Sequence, residues 1–136
     1  MKPIVPRKGV RKRESVRPGQ AMVEFAFASI IFLMIVFGTI DFGRAIFMAA
    51  DLHNAAREGA RYGKINPTQT AAIRTKTVDK AVGTGLTAGN VGVVCSPCTS
   101  GSTLTVTTQV QFQAVTQQLL GIGPITLKSS STVDIE

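Results

Sequence analysis

Residues 25–40 read FAFASIIFLMIVFGTI, and this run decides the architecture of the 136-residue chain. It contains no charged side chain, and only Ser29, Gly38 and Thr39 interrupt its apolar character. Ala21, Met22 and Val23 extend it toward the N-terminus, with Glu24 enclosed. Gln20 to Ile40 is 21 residues. As a helix rising about 1.5 Å per residue, it covers the roughly 30 Å hydrocarbon core of a bilayer. Its apolar residues occupy every face rather than one stripe, the pattern of a helix surrounded by lipid or by a large core. A chain of this size cannot build a core that would enclose it. The run therefore predicts a transmembrane helix over 20–40. A cleaved secretory signal fits less well. Its apolar region spans about 7–15 residues and ends at a small-x-small site. Here the run is longer, Arg44 interrupts Gly43-Arg44-Ala45, and Met48-Ala49-Ala50 is a weak second candidate.

Outward from the span the charge is lopsided. The chain has 15 Lys+Arg against 8 Asp+Glu, a formal +7, with a pI near 10.0. Residues 1–19 hold Lys2, Arg7, Lys8, Arg11, Lys12, Arg13 and Arg17 against Glu14 alone, a net +6. The other 117 residues carry +1, so a broadly basic, nucleic-acid-binding domain is not expected. Two cysteines are too few for a disulfide-dense miniprotein. The positive mean hydropathy argues against disorder of the whole chain. A Lys/Arg cluster ahead of a span stays in the cytoplasm. Residues 1–19 thus read as a cytoplasmic leader, 20–40 as a single pass of the cytoplasmic membrane, and 41–136 as an exported domain.

Glu24 is the odd residue, because a carboxylate inside a bilayer costs several kcal/mol and marks a functional position by default. Residues 17–25 read RPGQAMVEF: a glycine five residues before the glutamate, behind a basic leader and ahead of an apolar run. This organisation resembles a type IV prepilin processing site. The resemblance implies cleavage after Gly19 by a membrane-embedded prepilin peptidase, with Gln20 as the new N-terminus. The new α-amine is cationic near neutral pH. Glu24 of a neighbouring subunit can pair with it, which offsets the desolvation either charge suffers alone and fixes subunit register.

Residues 19–63 as a whole resemble the TadE-like family of tight-adherence pilus proteins. The matching elements are Gly19-Gln20-Ala21, Val23-Glu24-Phe25, Asp41-Phe42-Gly43-Arg44, and the most specific block, Asn54 to Tyr62, NAAREGARY. The resemblance implies a minor pilin or pseudopilin of a Flp-type pilus. Its partners would be other pilins, the assembly platform, the peptidase and membrane lipid. Its work would be assembly and adhesion, without a catalytic site or cofactor. Phe25 stands where major pilins of that system usually have Tyr, and those pilins end soon after the helix. Both differences point away from the main filament subunit.

The exported part reads as α+β. Asp41 to Tyr62 has no proline and is rich in good helix formers, with Gly63 fitting a C-terminal cap. Ala45, Ala49, His53, Ala56 and Ala60 form a small-residue row that fits close approach of another helix or of the domain's own sheet. Asn66-Pro67 reads as an N-cap and first helical residue of a second helix over 67–82. A β-meander follows over 91–136: a short strand at 91–94, and an alternating strand at 103–113 with Leu104, Val106, Thr108, Val110 and Phe112 on one face. A short helical or irregular link at 115–120 leads to a last alternating strand at 125–135. The expectation is a three-stranded antiparallel sheet packed on the long helix.

Cys95-Ser-Pro-Cys98 sits between two expected strands. In an exported domain it reads as a disulfide closing a hairpin turn. A redox-active pair would place its first cysteine at a helix N-terminus, and one such motif with the lone His53 falls short of a zinc site. Asp41 and Arg44, three apart, read as a snorkelling anchor pair at the membrane boundary. Arg57, Glu58 and Arg61 read as a charged helix surface, given an interface role by the family resemblance. No triad, phosphate loop or paired catalytic carboxylates are apparent. Two other classes compete: an uncleaved, signal-anchored envelope protein binding a partner, and a membrane-tethered thiol oxidoreductase.

Overall fold

The computed structural model describes residues 18–136. Apart from Pro18 and Gly19, the basic leader lies outside the described residues. The chain divides into two compact units, one ending at Met34 and the other running from Ile35 to Glu136. Helix α1, Pro18–Ile65, contributes to both. Among the described residues it is the one helix long and apolar enough to cross a membrane.

In the first unit the large apolar side chains of α1, from Met22 and Phe25 through Ile31 and Leu33, are exposed all round. Ser29 hides its hydroxyl by donating to the Phe25 carbonyl at 2.8 Å. Thr39, in the second unit, does the same to Ile35 at 2.8 Å. Both hydroxyls thus find their partners inside the helix.

The second unit is α+β. After α1 come α2 (Thr70–Lys80), β1 (Val91–Cys95), β2 (Thr103–Phe112), α3 (Val115–Leu120) and β3 (Ile125–Asp134). The sheet is antiparallel in the order β1-β2-β3, with Val93 opposite Val106 and Val110 opposite Leu127. The alternating face of β2 is buried at Leu104, Val106, Thr108, Val110 and Phe112. It packs on Leu52, Ala55, Ala60 and Ile73 from the two longer helices. Strand β2 runs antiparallel to α1: Leu104 faces Gly63, Val106 faces Gly59, the Thr108 hydroxyl donates to the Leu52 carbonyl at 3.3 Å, and Phe112 lies under Arg44.

Three boundaries differ from expectation. Helix α1 passes through Gly63 and ends at Ile65. Gly63 is buried against Leu104 and Ile73, where a Cβ would stand 2.9 Å from Leu104 Cδ2. Its small size therefore serves a close approach rather than a left-handed cap. Helix α2 begins at Thr70, not Pro67, and ends at Lys80. Asn66 does not cap it: its carbonyl accepts from the Gln69 N–H at 3.2 Å and its side-chain oxygen from Gln69 Nε2 at 3.4 Å, forming a turn between the helices. The 115–120 link takes the helical one of its two expected forms, as α3.

Candidate functional site

Two surfaces hold the residues singled out by sequence. The first is the N-terminal stretch of α1, where Gly19, Gln20 and Glu24 are all exposed. A Cβ at Gly19 would meet nothing within 4 Å. Glu24 lies among exposed Met22, Val23, Phe25 and Phe27, a lone carboxylate on an apolar cylinder.

The second is α1 beyond residue 40. Ala56 and Ala60 are fully buried, Ala60 in the core that holds Leu104 and Val106 of β2, so this half of the small-residue row serves internal packing. Ala49 and His53 are exposed, and His53 Nδ1 lies 3.2 Å from the Ser129 hydroxyl of β3. Arg61 grips Glu58 with both nitrogens, Nη2 to Oε1 at 2.6 Å and Nε to Oε2 at 3.0 Å. The Arg61 hydrogen bond holds the Glu58 carboxyl below its ordinary range, against the opposing pull of partial burial. Arg57, Glu58, Arg61, Lys64 and Lys80 border an open, mostly basic hollow of about 600 Å³.

Asp41 is not a snorkelling anchor. It is 4% exposed. Its Oδ2 accepts from the Thr116 N–H and the Thr116 hydroxyl, each at 2.9 Å, and the Val115 N–H also points at the carboxylate. Arg44 Nη1 reaches Oδ1 at 3.3 Å while its guanidinium stands 5.5 Å from the centre of the Phe112 ring. The reason lies in α3. Its first turn leaves N–H groups without partners, and the cap position is Ala114, which has no acceptor to offer. Gln117 Oε1 reaches back to the Ala114 N–H at 2.9 Å, and the Asp41 carboxylate supplies the rest from another element. The signal in the sequence was a short helix opening on alanine. Nothing local named Asp41, 75 residues away, as its acceptor.

Cys95, at the end of β1, is bonded to Cys98 in the turn leading to β2. The pair lies in a hairpin and not at a helix start. Among the described residues, no group of three or more His, Cys, Asp or Glu side chains could hold a metal ion.

Residues 19–61 match the family model described as TadE-like protein. The chain carries a TadE-like segment. No curated protein and no solved structure matches it. The TadE-like segment begins at Gly19, includes Gln20, Glu24, Asp41 and Arg44, and closes on the Glu58–Arg61 pair. TadE-like proteins are pilus-associated structural proteins, and the segment suggests a protein associated with a tight-adherence pilus. The partners of the TadE-like helix, α2 and the sheet, lie beyond the matched residues.

Proposed function

We propose that this protein is a minor pilin or pseudopilin of a tight-adherence, Flp-type pilus system. A prepilin peptidase cuts it after Gly19, and it acts in pilus assembly and surface adhesion by lateral packing of α1 against other pilins. The observation that carries this reading is a TadE-like segment opening at Gly19 on an exposed apolar helix that bears one exposed carboxylate, Glu24.

The chemistry follows from those residues. Gly19 lies in the first turn of α1. A protease needs the scissile peptide extended, and a glycine near a helix end unwinds at low cost. Cleavage leaves a cationic amine on Gln20. Glu24 then sits one helical turn along the mature chain, within the apolar surface that other helices would cover. Covering an unpaired carboxylate is strongly unfavourable, and pairing with a neighbour's amine removes that penalty. The pair fixes register and adds little net stability. Arg57, Arg61 and exposed Ala49 lie on the outer surface of the same helix, where contacts to neighbouring subunits form. The leader stays on the cytoplasmic side and the domain is exported.

The test is Glu24→Ala in the intact pilus system. Cleavage of the leader persists, and incorporation into sheared filaments or into the assembly complex falls sharply. Normal incorporation of Glu24→Ala contradicts the charge-pairing mechanism.

A further inference from the structure

Residues 113–127, QAVTQQLLGIGPITL, contain no charged side chain. They form α3, the left-handed turn at Gly121 and the start of β3. Within them Val115, Leu119, Leu120, Ile122 and Ile125 are each between 50% and 69% exposed. Single exposed apolar residues are ordinary, but five in one uncharged corner form a patch that some apolar partner covers.

The position of the corner says what that partner is. The Asp41 carboxylate, one residue beyond the 20–40 span, holds the first turn of α3. Val115, Thr116, Gln118 and Leu119 line an apolar hollow together with Phe37, which belongs to the last turn of the span. Because β2 runs antiparallel to α1, its Phe112 end is the end nearest the span, and its Thr103 end is the far one. The exposed apolar corner therefore lies at the depth where the lipid around residues 35–40 ends.

We propose that the α3–β3 corner is a membrane foot: Leu119, Leu120 and Ile122 insert into the bilayer that α1 crosses, on the exported side, with lipid as their cover. The inference rests on reading residues 20–40 as membrane-spanning. Its charge layout suits an interface. The apolar tip is free of charge, and the flanking cations are Arg44 beside Phe112 and Lys128 on β3, three residues past Ile125. Three residues of strand place Lys128 about 10 Å beyond Ile125, so its ammonium reaches the headgroups while the tip sits among the upper acyl chains. A subunit leaving the bilayer for a filament withdraws the foot along with the span.

The test uses the full chain in vesicles of phosphatidylcholine and phosphatidylglycerol, with the Cys95–Cys98 bond kept oxidised. Single-cysteine variants Leu120→Cys, Ile122→Cys, Phe32→Cys and Ile65→Cys carry an environment-sensitive fluorophore, and the lipids carry spin labels near the headgroup or deep in the acyl chain. The expected result is blue-shifted Leu120 and Ile122 probes, quenched several-fold more by shallow labels than the Ile65 probe at the far end of α1. The Phe32 probe responds most to deep labels. If Phe32 is quenched while Leu120 and Ile122 behave like Ile65, the foot is overturned and the span stands. If Phe32 is not quenched, span and foot fall together. Blue shifts that grow with protein density without lipid quenching also overturn the foot, in favour of contact between copies.

Discussion

Gly59 of α1 lies against Thr77 of α2 and Val106 of β2, and replacing it tests the packing directly. A Cβ there would collide with the Thr77 hydroxyl, and would stand 3.3 Å from Thr77 Cβ and 3.3 Å from Val106 Cγ1. The hydroxyl cannot swing away cheaply, because it donates to the Ile73 carbonyl at 2.8 Å and its side chain is β-branched and fully buried. Alanine gains about 1 kcal/mol over glycine in helix propensity, whereas overpacking a filled core costs about 1–3 kcal/mol. With a stiff neighbour the cost falls in the upper half of that range, so Gly59→Ala loses about 1 kcal/mol or somewhat more. For a unit of this size that lowers the unfolding midpoint by roughly 4–8 °C. Gly43→Ala is the counterpart: a Cβ there meets nothing within 4 Å, so only the propensity gain remains and the midpoint rises. Tyr62 is the only tyrosine in a chain without tryptophan, and its hydroxyl donates to Gln69 Oε1 at the α1–α2 turn. Its fluorescence therefore follows unfolding of this unit in detergent-solubilised protein without interference from residues 20–40. Thr77→Ala added to Gly59→Ala makes room for the methyl group and restores much of the loss. A Gly59→Ala protein as stable as the parent, or a double variant with no recovery, refutes the close-packing argument.

Asp41→Ala removes the acceptor that completes the first turn of α3. The Val115 and Thr116 amides then lose protection against hydrogen exchange while those of central β2 keep theirs; uniform loss across the unit would contradict a local capping role. The Glu58–Arg61 pair makes a small, pH-dependent contribution. The Glu58 carboxyl titrates below its ordinary value in the folded state, so its stabilisation is fully present above about pH 4.5 and is lost as the pH falls through the depressed folded value. Glu58→Gln should flatten that part of the acid unfolding curve and lower the midpoint at pH 7 by the same small amount, which solvent around the largely exposed Arg61 keeps low. An unaltered acid limb would show that other carboxylates dominate.

Much of the fold is legible in the sequence. Sixteen uncharged residues make one helix long and apolar enough to cross a membrane, and the strict alternation from Leu104 to Phe112 fixes both the strand and its buried face. The TadE-like elements from Gly19 to Arg61 were recognisable as side-chain order. What escaped was set by distant partners. Gly63 looked like a helix stop, but the packing of Leu104 and Ile73 over it outweighs the propensity cost of about 1 kcal/mol. Asn66-Pro67 carried the letters of a cap, yet the Asn66–Gln69 turn delays α2 by a turn. Asp41 looked like a surface acid until Thr116 folded onto it. Local patterns state which face is apolar. They do not state which polar group, many residues away, that face will bring within 3 Å.

The central claim is that the basic leader is removed and the working protein begins at Gln20. Intact-mass measurement of the protein extracted from its native membrane tests this most directly. The account predicts a 117-residue chain starting at Gln20, with or without a modified amine. Recovery of the chain with residues 1–19 still attached would contradict it and leave a signal-anchored envelope protein in its place.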